Sequence, residues 1–535
     1  MGKVRDTANR AYRAARRTAR ELWTRARRRG RVTVRRARRR WRAAAPQQRQ
    51  TVRLTAASAA LGLVVALVTV AAAGPWDSGQ RRAERVWAAR EGRGSGGGHT
   101  PGGAGGHGPE LTAPQVLAAA GPAGRRDGDE GGPQAGGSRP EQVPPPTASA
   151  LADTLEPLIE DGALGSVRHA AVVDAVTGRQ LFAQGAAEVS APASTVKLAT
   201  ASAALTARGE SYRIATRVVG AGDRVTVVGG GDPTLTGKDL AGLATDTARA
   251  LRERGEKTVR VRYDTSRYQG GEQHRIGPNE NLARITPLMV DEGRSDHSDH
   301  GPAPRVADPA QEAAGQFAGQ LEKRGVTVRG APAARTADKG ARQLAVHRST
   351  PLRALVERML THSDNDIAEA LARQTALAGD EPASFAGAGR AVQRTLGKLG
   401  MPLKGARFAD GSGLDRSDRV SPALLTRLLT LAADPGRPAL RSVLTGLPVA
   451  GFTGTLDDRY GGERGEPGAG LVRAKTGTLT GVNTLAGTVV DADGRMLAFA
   501  FMTTGAPAAD AAEKSLDRIA SALANCGCRD SPSAG

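Results

Sequence analysis

The sequence is poor in cysteine: its 535 residues include only Cys526 and Cys528, in the motif NCGC near the C-terminus. Two thiols exclude a disulfide framework as the basis of the fold. A lone C-x-C without further ligands is also a poor metal site. We interpret the pair as incidental surface cysteines, with a local disulfide in an oxidising compartment as the alternative.

Aromatic residues are scarce as well, at 3% of the chain, whereas glycine (69) and proline (30) are abundant. A chain of this length is long enough for two or three domains and a sizeable core. Its composition nevertheless indicates that much of the length is linker or loop.

Acidic residues are nearly absent from residues 1–53, which hold nineteen Arg and one Lys against Asp6 and Glu21. This tail carries +18 of the chain's net charge of +21, so the rest of the protein is close to neutral. A polybasic segment beside an apolar run is typical of contact with anionic lipids. Because the tail resembles no folded nucleic-acid-binding module, we expect no nucleic acid as a partner.

Charged residues are absent from residues 54–73, a run long enough to form a helix that spans a bilayer. A cleaved signal peptide is the alternative, but it normally has a shorter basic region and a shorter apolar core. We therefore predict an N-terminal transmembrane helix. The positive-inside rule then predicts a single-pass protein of the cell membrane, with a cytoplasmic N-terminus and an extracellular catalytic domain.

Changes in composition divide the chain into segments. A stretch rich in Gly, Pro and Ser follows the apolar run and is predicted to be a disordered tether. The predicted domains are a basic cytoplasmic tail (1–53), a transmembrane helix (54–74), a disordered linker (75–148), a catalytic domain in two parts (149–210 and 301–528), an inserted β-rich subdomain (211–300) and a disordered end (529–535).

Strand patterns occur at both ends of the region after the linker. Residues 169–184 are typical of a hairpin, and residues 470–504 contain three strand-like runs joined by turns. A C-terminal helix is predicted over 507–525, and the middle of the region is rich in helical patterns. The arrangement predicts an α+β fold in which an antiparallel sheet, built from N- and C-terminal pieces, is covered by helices.

Ser194 and Lys197 are three residues apart at the start of an apolar, alanine-rich run. On a helix they share one face, and the amine can accept the serine proton if burial or a nearby cation lowers its pKa. Taken alone, the pair is more simply a helix cap with a lysine that reaches solvent.

Two further motifs change this interpretation. The S-D-N triplet at 363–365 precedes an amphipathic run, and the K-T-G triplet at 475–477 lies in a strand-like run. Glycine in a strand often marks the close approach of another backbone. S-x-x-K, S-D-N and K-T-G in this order form the signature of class A β-lactamases and penicillin-binding proteins.

On these motifs the sequence resembles the D-alanyl-D-alanine carboxypeptidases of peptidase family S13, the penicillin-binding protein 4 type. The similarity runs from about residue 150 to 525 and includes GGGDPTL (229–235), ITPLMVDEGR (285–294), ADGSGLDRSDRVSP (409–422) and VRAKTGTLTGVNTLAGTV (472–489). It implies a β-lactamase/transpeptidase-like antiparallel sheet with helices on both faces and a helical subdomain. Because only 169 residues separate Ser194 from Ser363, we expect the inserted domain to be reduced.

The resemblance also implies the site. The implied catalytic residues are Ser194 as nucleophile, Lys197 as its base, Ser363 and Lys475. The implied substrate-binding residues are Asn365, Thr476, Gly477 and Thr478. The backbone N–H groups of Ser194 and Thr478 would form the oxyanion hole. No metal and no cofactor are implied, and the expected partners are peptidoglycan stem peptides, β-lactams as covalent inhibitors, and membrane lipids at the tail and span.

The function implied is removal of the terminal D-Ala from peptidoglycan stem peptides through a Ser194 acyl-enzyme. The same acyl-enzyme would serve a cross-link endopeptidase. Two alternatives stay open at this point: a serine β-lactamase, and a catalytically silent, membrane-tethered scaffold that binds peptidoglycan. The sequence does not predict the oligomeric state.

Overall fold

The computed structural model describes residues 144–296, 298–461 and 467–527. The basic tail, the predicted transmembrane helix, nearly all of the linker and the predicted end segment 529–535 lie outside these ranges. Within them, no helix is both long and apolar enough to cross a membrane.

The described residues include eleven strands and ten α-helices. The strands are β1 (Val167–Asp174), β2 (Gln180–Gln184), β3 (Ala215–Ala221), β4 (Arg224–Val228), β5 (Thr258–Asp264), β6 (Thr327–Val328), β7 (Ala333–Ala334), β8 (Arg342–Arg348), β9 (Arg473–Leu479), β10 (Val482–Val490) and β11 (Met496–Thr504). The helices are α1 (Ala148–Ile159), α2 (Lys197–Arg208), α3 (Gly237–Glu253), α4 (Pro309–Glu322), α5 (Leu352–His362), α6 (Asn365–Ala378), α7 (Phe385–Lys398), α8 (Pro422–Ala433), α9 (Ser442–Thr445) and α10 (Ala509–Ala524).

The first sheet joins the two ends of this region. Its strand order is β2-β1-β11-β10-β9, and all neighbouring strands are antiparallel. The whole of β1 pairs with β11, from Val167 opposite Thr504 to Asp174 opposite Leu497. The predicted antiparallel sheet, built from N- and C-terminal pieces, is therefore confirmed.

Alternate residues of the central strands face two separate cores, as the two-residue period of a strand requires. Leu497 and Phe499 pack with α1 and α10 on one face. Ala498 and Ala500 pack on the other face with α2 and with α5 to α8. Helices thus cover both faces, and the small alanine side chains let the helical layer lie close to the sheet.

Helix α2 is enclosed by this helical layer. Every residue from Lys197 to Leu205 is buried, and most have small or apolar side chains. The helix ends at Gly209, which has a φ of +79°, the left-handed conformation that glycine adopts at low cost. A short 3-10 turn, Ala193–Val196, leads into it.

A second, mixed sheet has the order β6-β5-β4-β3-β8, with β7 also paired to β5. Helices α3 and α4 contribute to its core. The strands β3, β4 and β5 lie within the predicted β-rich segment 211–300, but the sheet continues to Arg348 because β8 returns to pair with β3. The predicted boundary at residue 300 is therefore too early.

Cys526 is 5% exposed, belongs to the core around α10 and is disulfide-bonded. Its interpretation as an incidental surface cysteine is therefore wrong. Cys528 lies outside the described residues.

Candidate active site

The S-x-x-K motif lies where the 3-10 turn meets α2. Lys197 Nζ is 2.8 Å from Ser194 Oγ, so the predicted pair is in hydrogen-bond contact. Ala193, directly before the serine, has a φ of 47°, a strained value for a residue with a side chain. The local backbone therefore holds Ser194 at a sharp bend in front of a buried helix.

The Lys197 side chain is completely buried. Burial disfavours the charged ammonium and lowers the pKa of Lys197 to about 8. Nearby carboxylates act in the opposite direction: Asp410, Asp364, Glu369 and Asp418. Because burial outweighs them, the amine is neutral over a far wider range of pH than an exposed lysine.

Two further oxygens contact Lys197 Nζ. The side-chain Oδ1 of Asn365 and the backbone carbonyl of Ser412 each lie 2.7 Å away, and both can only accept hydrogen bonds. A neutral amine has two N–H groups and one lone pair. Once the two N–H groups are donated to these oxygens, the lone pair faces Ser194 Oγ, the arrangement that a general base requires.

The S-D-N triplet forms the junction between α5 and α6. Ser363 ends α5 with a φ of 56°, and Asp364 caps α6 by accepting a hydrogen bond from the Ile367 N–H at 2.9 Å. Asn365 then begins α6, with its Oδ1 on Lys197 and its Nδ2 donating to the Asn281 carbonyl at 2.9 Å. The Asn365 amide is thus held at both ends and has one N–H left for a substrate.

The K-T-G triplet lies on β9, an edge strand of the first sheet. Lys475 is fully buried, and its Nζ donates to the Thr476 carbonyl at 2.8 Å. Burial lowers the pKa of Lys475 well below its usual value, and the charges of Lys197 and Arg459 add to the shift. At Lys197 itself, burial rather than a nearby cation is the main cause of the lowered pKa.

The two threonines of this strand have side-chain partners that the sequence did not suggest. Thr476 Oγ1 lies 2.8 Å from Thr455 Oγ1. Thr478 Oγ1 donates to Glu513 Oε1 on α10 at 2.7 Å. Both hydroxyl groups are therefore oriented by neighbouring elements before any ligand arrives.

The predicted residues come together. Ser194, Ser363, Asn365, Thr476 and Thr478 line one cleft. Lys197 and Lys475 are buried and contact its lining residues, and Gly477 packs against the backbone at Ser194. The structure thus places all eight residues at or directly behind a single cleft.

Residues that sequence reasoning missed surround the base. Ser412 provides a carbonyl to Lys197, and Glu369 accepts hydrogen bonds from the N–H groups of Gly411 and Ser412. The segment 409–422 was part of the family resemblance but had no assigned role. Glu369 and His274 had no local signal, because their partners are distant in the sequence.

Two buried clusters have metal-ligand chemistry: His274, Glu369 and Asp410, and Glu292, Asp364 and Asp366. In the first cluster, Arg373 pairs with Glu369 at 2.9 Å. In the second, Glu292 pairs with Arg294 and Arg358, and Asp366 with Arg305. Since an arginine or, for Asp410, His274 already pairs with each of these carboxylates, we interpret the clusters as ion-pair networks.

Comparison with known proteins agrees with this geometry. A carboxypeptidase of Mycobacterium tuberculosis is 36% identical over 403 residues, which cover 72% of this chain and 85% of the relative. A D-alanyl-D-alanine carboxypeptidase of an Actinomadura strain is 30% identical over 449 residues, covering 66% and 81%. The crystal structure of penicillin binding protein 4 from Haemophilus influenzae shares the fold, with a TM-score of 0.58, 24% identity and coverage of 69% and 97%.

The sequence profile of one peptidase family matches residues 151–300 and 294–525, well over half of the chain. These segments include Ser194, Lys197, the S-D-N triplet and the K-T-G triplet, which the structure brings to one cleft. The chain therefore belongs to the D-Ala-D-Ala carboxypeptidase 3 (S13) family.

Proposed function

We propose that the protein is a serine-type D-Ala-D-Ala carboxypeptidase that acts through a Ser194 acyl-enzyme. The observation that carries this proposal is the contact of Lys197 Nζ with Ser194 Oγ, with two carbonyl oxygens directing the amine's lone pair at the hydroxyl. A serine hydroxyl is a weak nucleophile until such a base accepts its proton. The name of one relative, D-alanyl-D-alanine carboxypeptidase, supports a D-Ala-D-Ala end as the substrate. We propose that it is the end of a peptidoglycan stem peptide.

In the acylation step, Ser194 Oγ attacks the carbonyl carbon of the penultimate D-Ala, and its proton passes to Lys197. The backbone N–H groups of Ser194 and Thr478 would bind the oxyanion, and such donors are each worth about 3–4 kcal/mol. The C–N bond then breaks, and the leaving D-Ala amine receives a proton through the Ser363 hydroxyl, with Lys475 nearby. Water hydrolyses the ester to free Ser194.

Substrate binding is assigned to the residues that line the same cleft. Thr476 and Thr478 would receive the terminal carboxylate, and the unused N–H of Asn365 would bind the substrate amide. The free edge of β9 would bind the substrate backbone, as in the addition of a peptide to a sheet edge, and Gly477 lets this strand lie close to the Ser194 turn. A β-lactam presents a similar carbonyl and carboxylate, so it should acylate Ser194 as well.

The test is labelling with a fluorescent penicillin, comparing the wild type with Ser194→Ala and Ser190→Ala. Ser190 is a matched control, because it lies four residues upstream and its buried Oγ has no hydrogen-bond partner within the described residues. We expect labelling of the wild type and of Ser190→Ala but none of Ser194→Ala. An unlabelled wild-type protein would overturn the acyl-enzyme proposal and favour a silent scaffold.

Two further measurements distinguish the related activities. Release of D-Ala from a stem pentapeptide supports a carboxypeptidase, and cleavage of a cross-linked muropeptide dimer supports an endopeptidase. Rapid loss of the penicilloyl adduct, followed by mass spectrometry, would instead indicate a β-lactamase.

We further propose that the protein is a single-pass protein of the cell membrane, with a cytoplasmic N-terminus and an extracellular catalytic domain. The support is the sequence alone: a basic tail precedes the uncharged run at 54–73. N-terminal sequencing of the membrane fraction tests this proposal. Recovery of a soluble protein that starts after residue 74 would overturn it.

A further inference from the structure

The carbonyl of Ser412 is presented to Lys197 by a tightly bonded loop. The Asp410 carboxylate accepts hydrogen bonds from the backbone N–H groups of Ser412 (3.0 Å), Gly413 (2.6 Å) and Asp415 (2.7 Å). Gly413 has a φ of +88°, and a β-carbon there would lie 1.9 Å from the Ala193 carbonyl oxygen. The loop therefore packs directly against the bend that carries Ser194.

A second carboxylate, that of Glu369 on α6, holds the N-terminal part of the same loop. Glu369 Oε1 accepts hydrogen bonds from the N–H groups of Gly411 at 2.9 Å and Ser412 at 3.0 Å, while Oε2 accepts one from Arg373. The Ser412 N–H is thus shared by Asp410 and Glu369. The Ser412 carbonyl shares its planar peptide group with the Gly413 N–H, which donates to Asp410 Oδ1 at 2.6 Å. Because the C=O and N–H of a trans peptide point in opposite directions, the carbonyl is directed away from Asp410 and at Lys197 Nζ.

Asp410 is fixed in turn by His274, from the segment that follows β5 of the second sheet. His274 Nε2 lies 2.9 Å from Asp410 Oδ2, and both side chains are almost completely buried. The His274 Nδ1 accepts a hydrogen bond from the Ile276 N–H at 3.2 Å, so the proton is on Nε2, where it is donated to Asp410. The ring packs edge-on against Phe385 at 5.2 Å, which fixes its plane.

We propose that His274 is a positioning residue for the general base. It orients Asp410, Asp410 orients the Ser412 peptide, and the Ser412 carbonyl orients the Lys197 amine toward Ser194. The segment that follows β5 thus contributes to catalysis through a residue that does not line the cleft. This inference rests on the proposed function, because it assigns His274 to the Ser194 acylation step.

The experiment measures the acylation rate constant at saturating fluorescent penicillin, normalised to the fraction of enzyme that can be acylated. The variants are His274→Leu, which removes both ring nitrogens, and His274→Gln, whose amide N–H can replace Nε2–H. His347→Leu is the control, because His347 on β8 also lies near two carboxylates, Asp232 at 4.0 Å and Asp239 of α3 at 3.8 Å.

We expect His274→Leu to lower the acylation rate constant by roughly 10- to 100-fold, because a small displacement of a reacting group costs about that much. The concentration of penicillin that gives half-maximal rate should change little, since His274 does not line the cleft. His274→Gln should recover most of the rate, and His347→Leu should acylate like the wild type. A residue that only stabilises the fold would lower the active fraction without lowering the normalised rate.

A wild-type normalised rate in His274→Leu, or a His274→Gln variant as slow as His274→Leu, would overturn the proposal. If His274→Leu does not fold, His274→Asn replaces it, because its shorter side chain cannot reach Asp410. A wild-type rate in that variant would overturn the proposal equally. The wild type is included in every comparison. If penicillin does not acylate the wild type, the proposed function is overturned, and the role of His274 is overturned with it.

Discussion

Gly477 packs against the backbone that carries Ser194: a β-carbon at this glycine would lie 3.1 Å from the Ser194 amide nitrogen. The same atom would lie 2.8 Å from the Pro192 carbonyl oxygen and 2.2 Å from Thr484 Oγ1. Glycine is required here for the close approach of β9 and the nucleophile's turn, not for a left-handed backbone. The edge strand and the nucleophile therefore form one rigid unit.

Gly477→Ala should separate β9 from the Ser194 turn and displace the nucleophile. Because a displacement of about 1 Å can cost 100-fold in rate, we expect penicillin acylation to fall by roughly that factor. Gly242→Ala is the control, since a β-carbon at that position of α3 meets no atom within 4 Å. Acylation of Gly477→Ala at the wild-type rate would contradict this account.

The acylation rate should depend on the protonation of Lys197. The amine accepts a proton only when it is neutral, and burial lowers its pKa to about 8. The rate should therefore be low where the ammonium form dominates, rise with pH and level off above about pH 8. A pH profile of the acylation rate constant tests this, and a flat profile from about pH 6 to pH 9 would exclude Lys197 as the base.

Asp364→Asn should move that profile to lower pH. The charge of Asp364 raises the pKa of Lys197, so removal of the charge lets burial lower it further. Asparagine caps a helix about as well as aspartate, so the variant should lose less than about 1 kcal/mol of stability. The check is the midpoint of the acid limb together with a thermal melt, and a shift of the midpoint to higher pH would contradict the prediction.

Glu513→Gln should improve binding of the substrate's terminal carboxylate. The Thr478 hydroxyl donates to Glu513, and the negative charge of Glu513 lies beside the place assigned to the carboxylate. Two like charges about 4 Å apart near a surface repel by about 1–4 kcal/mol, so KM for a D-Ala-D-Ala peptide should fall at least several-fold. Measurement of kcat and KM separately tests this, and an increase in KM would show that Glu513 supports binding instead.

Asp174→Ala should destabilise the first sheet without altering the acylation chemistry. Asp174 on β1 is fully buried and pairs with Arg495 before β11. Removal of one partner from a buried pair typically costs about 3–5 kcal/mol. Chemical denaturation measures the loss, and a normal rate per active enzyme is the expected companion result.

The stability that Asp174 contributes should depend on pH in a definite direction. Burial tends to raise the pKa of Asp174, but hydrogen bonds from Arg495 and Thr177 outweigh it and lower the pKa below the ordinary 3.8. The stabilisation is therefore present above about pH 4 and is lost as the pH falls through the lowered value. A cost of Asp174→Ala that grows below pH 4 would contradict the assignment.

The sequence predicted those parts of the fold that are recorded in local patterns. The hairpin, the three C-terminal strands and α10 follow from alternation, turn residues and helical spacing over short windows. Helix α3 was not predicted, although the sequence contains a signal for it. Thr236 and Asp239 form a capping box before a stripe of buried leucines and alanines. The extent of the second sheet was not predictable, since β8 follows α4 in the chain and pairs with β3 only in three dimensions.

The active site, like the fold, has residues with local sequence signals and residues without them. Ser194, Lys197 and the two triplets were found from motifs, and each motif lies on the kind of element expected for it. Ser412, Glu369 and His274 could not be found in this way. Ser412 acts through its backbone, which any residue could supply, and the partners of Glu369 and His274 are 42 and 136 residues away.

The pairing of β1 with β11 has a consequence for how the enzyme forms. More than 300 residues must be synthesised between the two strands, so the sheet closes only after nearly the whole chain is available, and such non-local closure is slow. Strand β9, which supports the Ser194 turn, is held in the sheet through β10 and β11. A chain that ends before β11 therefore contains every catalytic side chain but lacks the completed sheet that supports the nucleophile. We expect the active site to form only once the last strands have been synthesised.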